Sequence, residues 1–321
     1  YFRFMIKKKV LILGSSGQIG KHLIRKLTKN NYKVICQTRN AHKSVFLKTS
    51  GSIGYIDIEE ASIFDQKKIE NLINEVDVCV NLIGILYEKN KINSFKNIHS
   101  AFPDFISRLC NKNGTALIHL SALGLEKAKD SKYAKSKLEG EKFIKKNYDK
   151  AVILKPSVVF SVSDSFTTKF LSMLSIFPIF PLYYNGLTKF TPVHASDVAD
   201  LIYNIISNEV ISKDIEVIGP EVLTLKEIIE ILLNCIGKKR ILIPLPYIVG
   251  KFSSIFLQRF PNPLITLDQF RLLKYHNIKS ENSLTNFDFG HPSKINFKEG
   301  VEKYAYNWRD GGQYSIERIQ K

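Results

Sequence analysis

Acidic residues are in short supply. Against 47 Lys and Arg the chain sets only 30 Asp and Glu, a formal net charge of +17 over 321 residues. Such an excess suits an anionic partner: nucleic acid, an anionic membrane face, an acidic protein or anionic small molecules. The lysines, however, are spread through the whole chain among many Asn and Ile, which reads as a solvated basic surface and the codon bias of an AT-rich, bacterial-type genome. No nucleic-acid-reading module accompanies them: there is no Cys/His metal spacing, no aromatic RNA-binding strand and no heptad zipper, so nucleic acid is not an expected partner. Cysteine is sparse as well. Cys36, Cys79, Cys110 and Cys235 stand singly in apolar stretches with no C-x-x-C pair, which excludes a disulfide framework or a cysteine metal centre and fits small buried hydrophobes in a reducing compartment. No apolar run reaches about 18 residues, so no membrane-spanning helix is expected. Tyr1 to Lys9 lacks the apolar core and cleavage site of a signal peptide, and Met5 reads as the start, with the four residues before it an upstream read-through or a truncation.

What the chain does have is an ordinary apolar fraction of 44%, enough for one large α/β domain with a smaller appended lobe. Val10 to Gly20, VLILGSSGQIG, runs four apolar residues into three glycines, Gly14, Gly17 and Gly20. A short apolar run suits a strand buried on both faces, and glycines after it allow a tight turn and a close backbone approach. Lys21 to Lys29 then reads as a helix with Leu23, Ile24 and Leu27 on one face. A strand, a glycine turn and a helix together make a diphosphate entry, because free N–H groups and the positive helix end point at the anion. Gly14, Ser15, Ser16, Gly17, Gln18, Ile19 and Gly20 are the first cofactor-binding candidates. Their G-x-x-G-x-x-G spacing resembles the extended and atypical short-chain dehydrogenase/reductase (SDR) superfamily, which implies a Rossmann doubly wound parallel sheet.

Tyr32 to Thr38 is the second strand, and its end selects the cofactor: a carboxylate there would bond ribose hydroxyls, whereas a cation accommodates the 2′-phosphate of NADP. The chain offers Gln37, Thr38 and Arg39 with no acid, which favours NADP(H) over NAD(H) through Arg39; the alternative is that Arg39 is a surface residue. Gly54 to Ile58 is a third strand. By the superfamily resemblance Asp57 and Ile58 contact adenine; otherwise Asp57 caps an amphipathic helix over Ser62 to Ile73. Asp77 to Leu86 is the fourth strand, and Asn81, Leu82, Ile83 and Gly84 resemble the superfamily's N-x-x-G element, with Gly84 letting the pyrophosphate side approach.

A helix is expected from Phe95 to Lys112 and a fifth strand over Ala116 to Leu120. Beyond it Tyr133 and Lys137 form a Y-x-x-x-K pair on a helix. Residues four apart share a face, so the lysine can sit beside the phenol, lower its pKa and make it an acid/base. In the superfamily this lysine also binds the nicotinamide ribose. Ser121 is the third catalytic candidate and a cofactor candidate, but the next places, where the active enzymes carry a carbonyl-binding Ser or Thr, hold Ala122 and Leu123. Hydride-transfer catalysis is thereby placed in doubt while cofactor binding is untouched.

Ala151 to Lys155 is the sixth strand, followed by KPSVVF, which resembles the element after that strand in the superfamily and adds Pro156 to the cofactor set. Then come an apolar helix over Phe166 to Leu174, a Pro-punctuated segment Phe177 to Leu182, and PVHASDVA, resembling the extended-SDR return to the sheet, with Asp197 starting a helix. Glu216 to Pro220 reads as another strand, Thr224 as the N-cap of a helix, and Ile241 to Pro246 as an extended run. Tyr247 to Phe260 is an apolar helix with two readings, core of the second lobe or a membrane-interface element. Leu264 to Asn277 and a tail containing Trp308 complete the chain. The expected division is a Rossmann domain at 6–160 with 190–220 returning to it, and a smaller lobe from 161–189 and 221–321.

GSSGQIG, VNLIGILYE, HLSALG, YAKSKLEGE, KPSVVF, KFTPVHASDVA, GPEVLTL, ILIPLP and LTLDQFRLLK occur in this order. Together they resemble the atypical SDR subfamily of the NAD(P)-binding accessory subunit of mitochondrial-type respiratory complex I and its bacterial relatives. That resemblance implies NADP(H) held as a structural ligand, complex I subunits as partners at the junction of the peripheral and membrane arms, and peripheral membrane contact. It also implies a place on the cytoplasmic face of a bacterial inner membrane, or on the matrix side in an organelle. HLSALG matches that subfamily's loop, so the missing hydroxyl is a family trait. The alternatives are an NADP-dependent reductase or epimerase acting on a sugar nucleotide or a quinone or isoprenoid precursor, supported by Tyr133 and Lys137, and a ubiquinone-biosynthesis partner on the same scaffold.

Overall fold

A computed structural model describes residues 6–162 and 164–314; the reading of Met5 and the residues before it lies outside them. In chain order the first elements are β1 (Lys9–Leu13), α1 (Gln18–Lys29), β2 (Lys33–Thr38), β3 (Ile56–Glu60), α2 (Gln66–Asn74), β4 (Val78–Asn81), α3 (Phe102–Asn113), β5 (Ala116–Leu120), α4 (Lys132–Asn147) and β6 (Val152–Pro156). Then come β7 (Val159–Phe160), α5 (Thr167–Ile176), β8 (Ile179–Tyr183), β9 (Lys189–Phe190), β10 (Val193–His194), α6 (Ala195–Ser207) and β11 (Lys213–Val217). The last are β12 (Leu223–Thr224), α7 (Leu225–Ile236), β13 (Ile241–Leu245), α8 (Tyr247–Leu257), α9 (Leu267–Leu272) and α10 (Phe297–Ala305).

These elements form two compact units, one of 6–122, 133–155 and 195–216, the other of 123–132, 156–194 and 217–314. The first is the expected α/β doubly wound sheet. Its seven strands run β11-β6-β5-β4-β1-β2-β3, parallel from β6 across to β3. The chain winds outward from β1 to β3, then returns to place β4 on the other side of β1, so the order reverses between β1 and β4. Outside the carboxyl ends of such a pair a crevice opens for a ligand. Val10, Leu11, Ile12 and Leu13 are fully buried, as strands covered by helices on both faces require. Leu11 and Leu13 join Cys79, Ile106, Cys110 and Ile144 in the core. All four cysteines are free and buried.

Several boundaries differ from the sequence expectation for local reasons. Helix α1 begins at Gln18, not Lys21, because Gly17 takes an extended N-cap conformation and the end of the glycine turn is already helical. Strand β4 stops at Asn81 rather than Leu86, since the Asn81 side-chain oxygen accepts the Ile83 N–H at 3.1 Å and turns the chain away. Helix α2 starts at Gln66 with Asp65 as its cap, accepting from the Lys68 N–H at 3.1 Å; Asp57 is therefore not its cap. Helix α3 is entered through a π-helical stretch, Lys96–Ala101. The strand expected at Glu216 to Pro220 lies earlier, at Lys213–Val217.

The second unit is built on Phe160, Leu171, Leu174, Phe180, Ile228 and Leu232. Its strands are short pairs, among them β8 parallel to β13, which is how the two Pro-bearing apolar segments are used. Thr224 caps α7 as expected, in a reciprocal capping box with Glu227. The lobe-core reading of Tyr247 to Phe260 is corrected: α8 buries its small residues Gly250 and Ser254, while Ile248, Phe252 and Phe256 are exposed. Among the described residues no helix is long and apolar enough to cross a membrane, and no group of His, Cys, Asp and Glu is arranged to hold a metal ion.

Candidate dinucleotide site

The glycine turn after β1 is tied down by Gln37, which the sequence presented only as a residue of the cofactor-selecting end of β2. Gln37, buried near the end of β2, accepts the Gly14 N–H on Oε1 at 3.1 Å and donates from Nε2 to the Ala61 carbonyl at 2.6 Å. The Ser15 hydroxyl donates to the Gln37 carbonyl at 2.8 Å. One amide thus cross-links the ends of β1, β2 and β3, and the Ser15 side chain is spent inside the protein. Nothing local marks such a bridge in the sequence, since it joins residues more than twenty positions apart. Gly14 has φ +81°, where a glycine is preferred. At Gly20 a Cβ would lie 2.3 Å from the Ser15 carbonyl oxygen, so the third glycine lets α1 close on the turn. Gly17 is exposed and a Cβ there would meet only the Gly14 carbonyl, at 3.2 Å. Ser16 is exposed beside it, Gln18 is half-buried, and Ile19 is buried in the core. Helix α1 opens without a side-chain cap and without an acid in its first turn. Its positive end therefore has no carboxylate of its own first turn before it, which suits a diphosphate.

Arg39 follows β2, is exposed, and makes no ion pair among the described residues. Asp57 and Ile58 are placed differently from the expectation. Strand β3 runs on to Glu60, and Asp57 pairs with Lys33 Nζ at 2.9 Å, at the start of β2 rather than its end. The β3 terminus consists of Glu60, whose carboxylate accepts the Ala41 N–H at 2.7 Å, and Ala61, whose N–H donates to the Thr38 carbonyl at 2.9 Å. Asp57 and Ile58 thus lie within β3 and not at its end; the GYIDIEEA run gives no turn signal to show where the strand ends.

At the end of β4 Asn81 is fully buried, Leu82 and Ile83 are half-buried and Gly84 is exposed. Ile83 is the neighbour of the glycine turn: its Cγ1 would lie 3.1 Å from a Cβ on Gly14. Gly84 instead borders Lys137, whose Nζ would lie 3.4 Å from a Cβ there, and His99, whose Nε2 would lie at 3.8 Å.

Lys137 is buried on α4 and donates from Nζ to the Leu120 carbonyl at 3.0 Å. Burial pushes its ammonium down to about 8, with the Glu141 carboxylate acting against the shift. Tyr133, half-buried one turn earlier, presents its ring edge-on to His99 and Phe95, at centroid distances of 5.2 and 5.9 Å. His99, absent from the sequence candidates, accepts the Ile85 N–H on Nε2 at 3.1 Å and pairs through Nδ1 with the Ser136 hydroxyl at 3.0 Å. Burial first, then the Lys137 charge, drive its pKa down to about 2. His119 on β5 is likewise held neutral by burial and the nearby Lys137 charge. Because Asn81 Oδ1 accepts from Ile83, its amide nitrogen faces His119 Nδ1 at 3.0 Å. Nδ1 is then the acceptor and Nε2 carries the proton, buried with no hydrogen-bond partner among the described residues.

Ser121 is buried at the end of β5 and donates its hydroxyl to Glu141, a carboxylate that also pairs with Lys155 at 3.0 Å. The serine's proton is thus committed to an internal network, a role its sequence position did not reveal. Pro156 is the buried last residue of β6.

The glycine turn, Asn81 to Gly84, Ser121, Tyr133 and Lys137 all belong to the first unit and cluster around the carboxyl ends of β1, β4 and β5. An exposed glycine at an uncapped helix start suits a diphosphate, and the buried Lys137 borders Gly84 beside it. They define a nucleotide-binding α/β protein. Residues 10–219 match the model of the NAD dependent epimerase/dehydratase family, and the chain belongs to that family. It is 25% identical over 316 residues to NADH dehydrogenase [ubiquinone] 1 alpha subcomplex subunit 9, mitochondrial, of Arabidopsis thaliana, covering 94% of this chain and 78% of that one. To the NADH-ubiquinone oxidoreductase 40 kDa subunit, mitochondrial, of Neurospora crassa it is 24% identical over 311 residues, covering 95% and 80%. Its fold is that of dTDP-glucose 4,6-dehydratase from Bacillus anthracis, solved in complex with NAD, at a TM-score of 0.70 and 15% identity over 97% of this chain and 99% of that one.

Proposed function

We propose that this chain binds NADP(H) at the carboxyl edge of its seven-stranded sheet as a structural ligand, and serves as an accessory or assembly subunit of NADH:ubiquinone oxidoreductase. The carrying observation is the similarity along nearly the whole chain to mitochondrial subunits so named. In this reading Gly14 to Gly20 and the start of α1 hold the diphosphate, Arg39 the 2′-phosphate, and Glu60 and Ala61 border the adenine. Lys137 takes the nicotinamide ribose beside Gly84. Support for a quiet site comes from Ser121, whose hydroxyl is committed to Glu141, and from Ala122 and Leu123, which cannot donate a side-chain hydrogen bond. The partners are the complex I subunits at the arm junction, and the location is the membrane face that carries them, cytoplasmic in a bacterium or matrix-facing in an organelle.

A second reading is kept alive by Tyr133 and Lys137: an NADP-dependent reductase or epimerase acting on a sugar nucleotide or a quinone or isoprenoid precursor. A bound nicotinamide would supply the hydride chemistry, and Tyr133 the proton at the substrate oxygen. Native purification followed by mass spectrometry of the retained nucleotide and the co-purifying proteins separates the two. NADP(H) together with respiratory-chain subunits is the expected outcome. Recovery of a lone protein from gently solubilised membranes, with NADPH turnover on a carbonyl panel that Tyr133→Phe abolishes at unchanged cofactor affinity, would reverse the preference.

A further inference from the structure

Two histidines hold one short turn from its two ends. Beyond β4 the Ile83 N–H donates to Asn81 Oδ1 and the Ile85 N–H donates to His99 Nε2, each at 3.1 Å. The Leu82 N–H is tied to the Leu13 carbonyl at 3.0 Å. Gly84 is thereby an exposed residue between two pinned neighbours.

Each acceptor depends on a histidine of fixed tautomer. On one side Asn81 keeps its oxygen toward Ile83 because its amide nitrogen donates to His119 Nδ1 at 3.0 Å. On the other, the Ser136 hydroxyl donates to the Tyr133 carbonyl at 2.8 Å. Its oxygen then accepts from His99 Nδ1 at 3.0 Å, which leaves the Nε2 lone pair for Ile85. Phe95 stacks on the His99 ring, centroids 5.4 Å and planes 22° apart, and so fixes its orientation. Only neutral rings can accept in this way, and burial beside the Lys137 charge keeps both neutral. The arrangement has a cost, since the His119 tautomer that serves Asn81 leaves its Nε2–H buried with no hydrogen-bond partner among the described residues. An apolar side chain would fill the same space without that cost, so the acceptor is what the position supplies.

The turn in turn touches both halves of the site. Ile83 Cγ1 would lie 3.1 Å from a Cβ on Gly14, and Lys137 Nζ would lie 3.4 Å from a Cβ on Gly84. We propose that His99 and His119 are positioning residues of the dinucleotide site, holding the Asn81–Ile85 turn so that Gly84 stands beside Lys137 and the nicotinamide-ribose half of the cofactor is held there. This rests on the cofactor reading above and adds the residues that shape its nicotinamide end.

The test is titration calorimetry of the full chain with NADPH and with adenosine 2′,5′-bisphosphate, which lacks the nicotinamide half. His99→Leu, which leaves the Ile85 N–H without its acceptor, should weaken NADPH about tenfold and the bisphosphate less than about twofold. His99→Gln, with an amide oxygen at the Nε2 position, and His119→Asn, with one at the Nδ1 position, should stay within about twofold of wild type for both ligands. Ser136→Ala removes only the hydroxyl that orients the ring, and should give the same selective loss at about fivefold even if His99→Leu fails to fold. Melting temperatures are taken on the same samples, because a role confined to packing would lower them and move both affinities alike, with no rescue by glutamine. Equal losses for the two ligands, or a glutamine variant as weak as the leucine one, would overturn the proposal and leave the cofactor reading in place. Wild-type protein that binds neither ligand would overturn both.

Discussion

His99, His119 and Lys137 sit together in a place where burial keeps charge low. Both histidines are neutral in the folded protein because their folded pKa values lie below the usual 6.5. The unfolded chain, with ordinary histidines, binds more protons as the pH falls below about 6.5, so stability is complete above that value and is lost on acidification. Each contributes a slope of about 1.4 kcal/mol per pH unit below it. Denaturant unfolding between pH 7 and 5 should show this loss, and His99→Gln should be less stable at pH 7 yet lose less on acidification. Lys137 behaves in the opposite range: its depressed pKa makes the buried charge costly below about 8, and that cost is relieved as the pH rises toward 10.5. If its ammonium donates to ribose hydroxyls, nucleotide affinity falls as the pH passes through about 8, which titration calorimetry at pH 7 and 9 reads directly.

At the scale of the element, the β1–α1 unit shows how a motif becomes geometry. Gly20→Ala would drive a methyl group into the Ser15 carbonyl, lifting α1 off its strand. Overpacking of this kind costs about 1 to 3 kcal/mol, and because the displaced backbone is also the proposed diphosphate cradle, nucleotide retention should fall with the melting temperature. Gly17→Ala meets only one carbonyl within the protein, so it should leave stability nearly unchanged while weakening nucleotide binding. A thermal melt and a fluorescence titration of the two variants separate packing from contact. This unit was legible because strand, turn and helix are sequential. The end of β3 was not, since in IDIEEA it is set by hydrogen bonds that Ala61 accepts from the Gln37 side chain and donates to the Thr38 carbonyl, more than twenty residues away.

For the whole molecule, a ligand that binds only the folded chain stabilises it by mass action. NADPH at about 100 times its dissociation constant should add about 2.7 kcal/mol, visible as a rise in melting temperature. NADH at the same concentration should add less, and Arg39→Ala should remove the difference between the two. Equal shifts from both nucleotides in the wild-type chain would show that the end of β2 does not read the 2′-phosphate.

The sequence by itself determined the class of fold and the order of its parts. Apolar runs, glycine turns and helical periodicity are local signals, and the strand-by-strand recurrence from Val10 to Phe160 leaves little choice but a doubly wound sheet. It also singled out Gly14, Asn81, Tyr133 and Lys137 as candidates, because each belongs to a short motif. Tertiary structure alone decided what each side chain does. Gln37 became a bridge, Ser121 was committed to Glu141, His99 and His119 were placed beside Lys137, and α8 turned its large residues outward. Each of these outcomes depends on groups far apart in the chain meeting at a few ångströms, and neither periodicity nor composition encodes which groups meet.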